Sequence, residues 1–152
     1  MTDQERALPK ATLDQQVCFA IYSAAHAFNR TYKPLLDPLG LTYPQYLVML
    51  ALWEKDELTV KTLGEKLGLD SGTLSPLLKR LEQAGRVEKR RDPEDERQVL
   101  ISLTDEGRAL QPETARIMSA IGTATGCPAS ELADLRDRLN ALRESLEKAD
   151  CA

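Results

Sequence analysis

The side chains able to do covalent chemistry in this 152-residue chain are few: three cysteines, Cys18, Cys127 and Cys151, and a single histidine, His26. The cysteines are widely spaced, odd in number and form no CxxC pair, so neither a metal site nor a disulfide framework is expected. In a reducing compartment they are free thiols, which act, if at all, through thiolate reactivity or transient bonding. By residue type alone Cys18 reads as a core side chain, because cysteine is among the most buried residues. Tyr22 follows it by four residues, and Tyr32 and Tyr43 lie further on. A phenol can donate a hydrogen bond to a thiolate and so lower its pKa, although a tyrosine at such spacing is more often a packing residue. Cys151 falls in a frayed tail and reads as a bystander, and His26, without metal partners, as structural or exposed.

The second chemically marked group is cationic. Between Val60 and Arg91 eight basic residues stand against four acidic ones, a local charge of +4 in a chain whose net charge is -4. An acidic protein with one basic segment points to a localised nucleic-acid contact. The composition, 42% hydrophobic and 29% charged, excludes disordered and fibrous classes, and the length fits one domain spanning 1–152. No apolar run approaches the ~20 residues that cross a bilayer, and the start MTDQERALPK lacks the order of a secretory signal. A cytoplasmic protein with no membrane partner is expected.

The elements that must position these groups are legible from periodicity. Leu13, Val17, Ala20, Ile21, Ala24, Ala25 and Phe28 recur at three and four residues and predict a long first helix, ended by Pro34 and by Pro38 with Gly40. Thr42 caps a second helix through Gln45 to Trp53. Thr59 caps Val60–Leu67, closed by Gly68, and Asp70 or Ser71 caps a helix from about Gly72 to Ala84, closed by Gly85. The last two helices have helix-turn-helix dimensions. In the second of them Leu74, Leu77, Leu78 and Leu81 share one face, while Ser71, Thr73, Ser75, Lys79 and Arg80 give the polar face that lies in a major groove.

Arg86–Arg91 and Gln98–Leu103 predict a β-hairpin whose tip is Asp92–Arg97, a wing. Within this lobe Ser71, Thr73 and Ser75 are candidates for base edges, and Pro76 can pack on a thymine methyl. Lys79, Arg80, Arg86, Arg90 and Arg91 are candidates for phosphates. Arg97 can enter a narrow minor groove with Asp95 orienting it; the plain alternative is an exposed ion pair worth at most ~1 kcal/mol. Thr104 then starts a helix that Pro112 should kink or break. From Ser130, Leu132, Leu135, Leu139, Leu142 and Leu146 form a narrow apolar stripe that calls for a partner.

This order of elements resembles the MarR family of dimeric winged-helix regulators over nearly the whole chain. The wing DPEDERQVLISLTDEGR is similar to that family's D-x-R, here Asp95 and Arg97, followed by L-T-x-x-G, here Leu103, Thr104 and Gly107. The resemblance implies a mainly α fold with a small β-hairpin wing, a winged helix-turn-helix lobe at 43–103, and an obligate homodimer through helices at 12–40 and 104–148. It also implies binding to double-stranded, pseudo-palindromic operator DNA, no cofactor, and no enzymatic role. A finer resemblance is to the organic-hydroperoxide-sensing, OhrR-type branch with two cysteines. It makes Cys18 the sensor, Tyr32, Tyr43 and Tyr22 its hydrogen-bond donors, some from the partner subunit, and Cys127 in TGCPASEL the resolving thiol.

On that reading an organic hydroperoxide converts Cys18 to a sulfenic acid, an intersubunit disulfide with Cys127 follows, and the operator is released. Phe19, Ile21, Tyr22, Phe28 and Trp53 would line a pocket for greasy hydroperoxides. Three alternatives stay open. A small thiol could cap Cys18 with Cys127 idle, the inducer could be hypochlorous acid or a phenolic ligand, and a thiol peroxidase would use the same two cysteines catalytically.

Overall fold

A computed structural model describes residues 10–150, so Cys151 lies outside the described residues. A short 3-10 turn, Leu13–Gln15, precedes helix α1, Val17–Leu36. The helix thus starts later than the apolar period suggests. It also runs through Pro34, which was expected to end it: a proline one turn from the C-terminus removes only one helical hydrogen bond, and Leu36 is buried, which favours completing the turn. The chain reverses through a second 3-10 turn, Asp37–Leu39, and Gly40 in the left-handed conformation (φ +69°).

Helix α2, Tyr43–Glu54, begins with a reciprocal capping box. The Gln45 N–H donates to the Thr42 hydroxyl, and the Thr42 N–H donates to Oε1 of Gln45 at 2.9 Å. A two-residue strand, β1, Leu58–Thr59, leads into α3, Val60–Leu67, capped by Thr59, and then α4, Ser71–Gln83, capped by Asp70 at 2.7 Å from the Thr73 nitrogen. Strands β2, Val87–Arg91, and β3, Val99–Leu103, form the hairpin, and the sheet order is β1-β3-β2, antiparallel throughout. The β1 strand was not anticipated, because two residues are too few to show alternation.

The chain continues through α5, Asp105–Ala109, capped by Thr104, and α6, Glu113–Thr125. Pro112 breaks the helix between them, as its fixed φ and missing donor require. Helix α7, Ala129–Asp150, closes the described chain. The core is assembled in the lobe: Tyr46, Val48, Met49 and Leu52 of α2, Leu63 of α3, Leu74, Leu78 and Leu81 of α4, and Val87, Ile101 and Leu103 of the sheet, joined by Leu36 and Ile117. Helix α7 contributes no buried residue.

Candidate nucleic-acid interface and thiol site

The amphipathic period of α4 buries Leu74, Leu78 and Leu81 and leaves Ser71, Thr73, Ser75, Pro76, Lys79 and Arg80 exposed together on the outer face. Neither Lys79 nor Arg80 has a hydrogen-bond or acidic partner among the described residues, so both present full charge to solvent. The wing stands beside this face. At its tip Asp95 Oδ1 accepts hydrogen bonds from the Arg97 backbone N–H (3.1 Å) and from its Nε (3.3 Å), and the Arg97 side chain is 92% exposed. The carboxylate therefore aims the guanidinium outward while leaving its terminal nitrogens free.

Three nominated cations sit differently. Arg86 is turned inward: its Nη2 donates to the Leu39 carbonyl at 3.2 Å, and its Nε is buried with no partner. It braces the base of the wing against the α1–α2 elbow and does not reach a phosphate, which corrects its sequence assignment. The cause is position, because Arg86 precedes the strand and lies under the junction where α4 turns into β2. Arg90 is held by Glu57 at 2.6 Å, and Arg91 donates to the Glu96 carbonyl at 2.8 Å within the wing loop.

The L-T-x-x-G run has a mechanical reason. The Thr104 hydroxyl donates to the Gly85 carbonyl (2.6 Å) and accepts from the Gly107 N–H (3.0 Å), while the Thr104 N–H donates to the Arg86 carbonyl (3.1 Å). A Cβ on Gly107 would lie 2.1 Å from that carbonyl oxygen, so only glycine lets α5 dock on the wing base. The Trp53 indole N–H donates to the Gly107 carbonyl at 2.9 Å. Trp53 therefore locks this junction and does not line a pocket at the thiol as expected.

Cys18 is exposed near the start of α1 and is a free thiol, as is Cys127. Phe19, Ile21, Tyr22 and Phe28 are exposed on the same helix. Tyr22 packs edge-on against His26, with ring centroids 4.4 Å apart. Tyr32 and Tyr43 lie together elsewhere, 4.7 Å apart, with Tyr46 5.9 Å from Tyr32. They wall a pocket of about 310 Å3 between α1 and α2, with Leu36, Leu41 and Thr42. Burial, reinforced by Tyr43 and Tyr46, pushes the Tyr32 hydroxyl up to about 12, and burial also raises Tyr43. Both phenols thus stay protonated donors throughout the neutral range. The buried Tyr46, also raised by burial, was not singled out from sequence; its place at the fourth position of α2 inside a continuous apolar run was the signal available.

These groups do not meet within one chain. Tyr32 is 14 residues from Cys18 on the same continuous helix, a rise of ~21 Å. Cys127 lines a groove of about 280 Å3 with Ala24, Ala27, Phe28 and Thr31 of α1 and Leu132 and Leu135 of α7. That stretch of α1 begins ~9 Å along the axis from Cys18, which does not line the groove. The Cys127 Sγ lies 3.4 Å from the Thr125 carbonyl, to which its S–H donates. No group of three or more metal-ligating side chains occurs among the described residues, and no described helix is long and apolar enough to cross a membrane.

Known proteins share this architecture. The family described as transcriptional regulator SarA/Rot matches residues 30–113. The HTH-type transcriptional regulator TtmR of Methylorubrum extorquens is 53% identical over 89% of this chain and 69% of its own length. The organic hydroperoxide resistance transcriptional regulator of Bacillus subtilis is 46% identical over 90% of this chain and 92% of its own. Among solved structures, reduced AbfR bound to DNA, a protein of Staphylococcus epidermidis, superposes with a TM-score of 0.75 at 37% identity, covering 90% of this chain and 93% of its own. AbfR has also been solved in a disulfide-formed state, with a TM-score of 0.61 at 38% identity over 86% of this chain and 91% of that one.

Proposed function

This chain belongs to the winged-helix transcriptional regulators of the SarA/Rot and MarR type, and from that premise we propose that it is a homodimeric, DNA-binding repressor that senses organic hydroperoxides through Cys18. A transcriptional regulator needs no catalytic turnover; one stoichiometric oxidation is enough to change its state. The α4 face and the wing supply the DNA contact, with Ser71, Thr73 and Ser75 toward bases, Lys79 and Arg80 toward phosphates, and Arg97 toward the minor groove. Two lobes in a symmetric dimer would read half-sites ~34 to 36 Å apart.

The observation that carries the redox reading is the separation of reactive groups along α1. Cys18 stands exposed on a helix whose apolar side chains are uncovered, while the protonated phenols and the second thiol lie ~9 to 21 Å further along. A second copy packed antiparallel along α1 would bring its own Tyr32, Tyr43 and Cys127 toward this thiol. The phenols would donate to the Cys18 thiolate and favour the charged, nucleophilic form. The thiolate takes the terminal oxygen of the hydroperoxide, the O–O bond breaks, and the alkoxide leaves with a proton as the alcohol. The Cys127 thiolate then attacks the sulfenic sulfur, the S–S bond forms, and hydroxide leaves as water. The two thiols have lost two electrons, and the peroxide has gained them. The tether displaces α1 relative to the partner's α6–α7 turn and moves the half-sites out of spacing.

The test is intact mass and non-reducing electrophoresis of the reduced protein before and after one equivalent of cumene hydroperoxide, with hydrogen peroxide in parallel. A covalent dimer mapped to Cys18 and Cys127, formed faster with the organic oxidant and lost from DNA, is expected. An unchanged monomer mass would overturn the thiol mechanism. A Cys127→Ser protein that still releases DNA reversibly would overturn the intersubunit step and favour a small-thiol cap.

A further inference from the structure

One cation of the basic segment points away from solvent and serves neither the DNA-reading face nor the thiols. The Arg86 side chain crosses from the base of the wing to the elbow between α1 and α2, where its Nη2 donates to the Leu39 carbonyl at 3.2 Å across 47 residues of sequence. Its backbone holds two further elements: the N–H donates to the Leu81 carbonyl of α4 at 2.9 Å, and the carbonyl accepts from the Thr104 N–H at 3.1 Å, where the wing ends. One residue therefore joins the recognition helix, the wing and the elbow. We propose that Arg86 is the positioning residue that couples the elbow to the DNA-reading lobe, so that a displacement of α1 reaches α4 and the wing through its guanidinium. The inference rests on the regulator reading above for its consequence at the operator, but not on which inducer moves α1.

The elbow is built to move as a unit. It is a single 3-10 turn, Asp37–Leu39, in which the Gly40 N–H donates to the Asp37 carbonyl (3.0 Å) and the Leu41 N–H to the Leu36 carbonyl (3.3 Å). Leu36, Asp37, Leu41 and Thr42 wall the pocket that Tyr32 and Tyr43 share. Leu36, Leu39 and Leu41 are all buried, so a push on the pocket wall is carried to the Leu39 carbonyl instead of being absorbed by a loose loop. On the lobe side the guanidinium is incompletely satisfied. Arg86 has no acidic partner among the described residues, and its Nε is buried without an acceptor, a standing cost. The present arrangement is therefore not the one that satisfies every donor. An elbow shift that breaks the Nη2 bond frees the guanidinium for other acceptors or water, and the junction of α4 and β2 loses its brace. Such a competing arrangement is what a transmitting joint requires. The Thr104 and Trp53 hydrogen bonds fasten the wing base independently, so removing the guanidinium should cut the communication and leave the reading face assembled.

The experiment uses the full-length reduced protein and a duplex selected from a random pool by the wild type. Amide hydrogen exchange across residues 36–42 is followed with and without saturating duplex. Coupling between sites is reciprocal, so DNA on the lobe should slow the Gly40 and Leu41 amides of the wild type by about fivefold or more. Arg86→Met keeps the apolar stem and loses the donors; it should bind the duplex as the wild type does, and its elbow should exchange at the same rate with and without DNA. Arg86→Lys, which restores one donor, should regain the protection, and Arg86→Gln, too short to reach Leu39, repeats the test if the methionine variant does not fold. A wild-type elbow indifferent to DNA would overturn the proposal, as would wild-type protection in folded Arg86→Met. A parallel arm oxidises the proteins with cumene hydroperoxide. The wild type should leave the duplex, whereas Arg86→Met, oxidised at Cys18 to the same extent by intact mass, should stay bound; equal release would also overturn the coupling. An oxidised wild type that keeps its duplex would instead remove the thiol reading, and the exchange arm alone would decide the role of Arg86.

Discussion

The reading lobe and the helices α1 and α7 both carry leucines at helical spacing but end in opposite states. In the lobe each amphipathic element finds a partner within the chain: Leu63, Leu74, Leu78, Leu81, Ile101 and Met49 are essentially inaccessible, in a core that Leu36 of α1 and Ile117 of α6 complete. In α7, 22 residues long, no side chain is buried, and Leu135, Leu139, Leu142 and Leu146 are all exposed. On α1, Val17, Ile21 and Phe28 are likewise open to solvent. An apolar stripe at heptad spacing gains nothing from water, so its stability must come from another surface. The contrast teaches that one region is satisfied by contacts within the chain, whereas the other leaves an apolar surface uncovered, the surface that the proposed homodimer would use.

The widest break in this comparison comes from Leu139→Asp together with Leu142→Asp. Two carboxylates in an apolar seam should raise the dimer dissociation constant at least about a hundredfold, ~2.8 kcal/mol. Analytical ultracentrifugation at micromolar concentration would then show monomer, while the circular dichroism of the lobe persists. A dimer of unchanged affinity would place the interface elsewhere. The lobe should respond instead to Gly107→Ala. The added methyl meets the Arg86 carbonyl at 2.1 Å, so α5 must move off the wing base and strain the Trp53 and Thr104 hydrogen bonds. A loss of about 2–3 kcal/mol is expected, seen as a melting temperature lowered by roughly 5–10 °C with dimerisation intact. An unchanged melting temperature would mean that the wing base is not held at that contact.

These two regions were unequally legible in the sequence. Caps, breakers and leucine periods are local signals, so α2, α3, α4, the hairpin and the Pro112 break could be placed within a few residues. The stripe on α7 declared its need for a partner because the period itself is local. What escaped was decided by tertiary context. Pro34 sits inside α1 because Leu36 and Leu39 are drawn into the core beyond it. Arg86 looks like one more cation in a basic run until the fold places it under the junction of α4 and β2, where the Leu39 carbonyl needs a donor. Trp53, grouped by type with the aromatic side chains of α1, is taken up by a carbonyl 54 residues away.

The finest test of the comparison titrates the tyrosine cluster, which lies where the two regions meet. Burial, with Tyr43 and Tyr46 nearby, raises the Tyr32 hydroxyl from 10.0 to about 12. A group whose pKa is raised by folding gives stability that is complete below its unfolded value. That stability is lost as pH rises through the folded value, because the unfolded chain releases the proton first. Between pH 10 and 12 the protein should therefore lose stability, and Tyr32→Phe should flatten this part of the profile while leaving the neutral melting temperature within about 1–2 °C, as befits a half-buried side chain whose hydroxyl has no hydrogen-bond partner among the described residues. Because the lobe keeps its fold without this phenol, operator affinity of the reduced Tyr32→Phe protein should match wild type, and only the rate of Cys18 oxidation should fall. A variant that loses DNA binding together with oxidation would mean that the elbow between α1 and α2 supports the lobe itself, and that the division between a self-contained reader and an interface-dependent sensor is drawn in the wrong place.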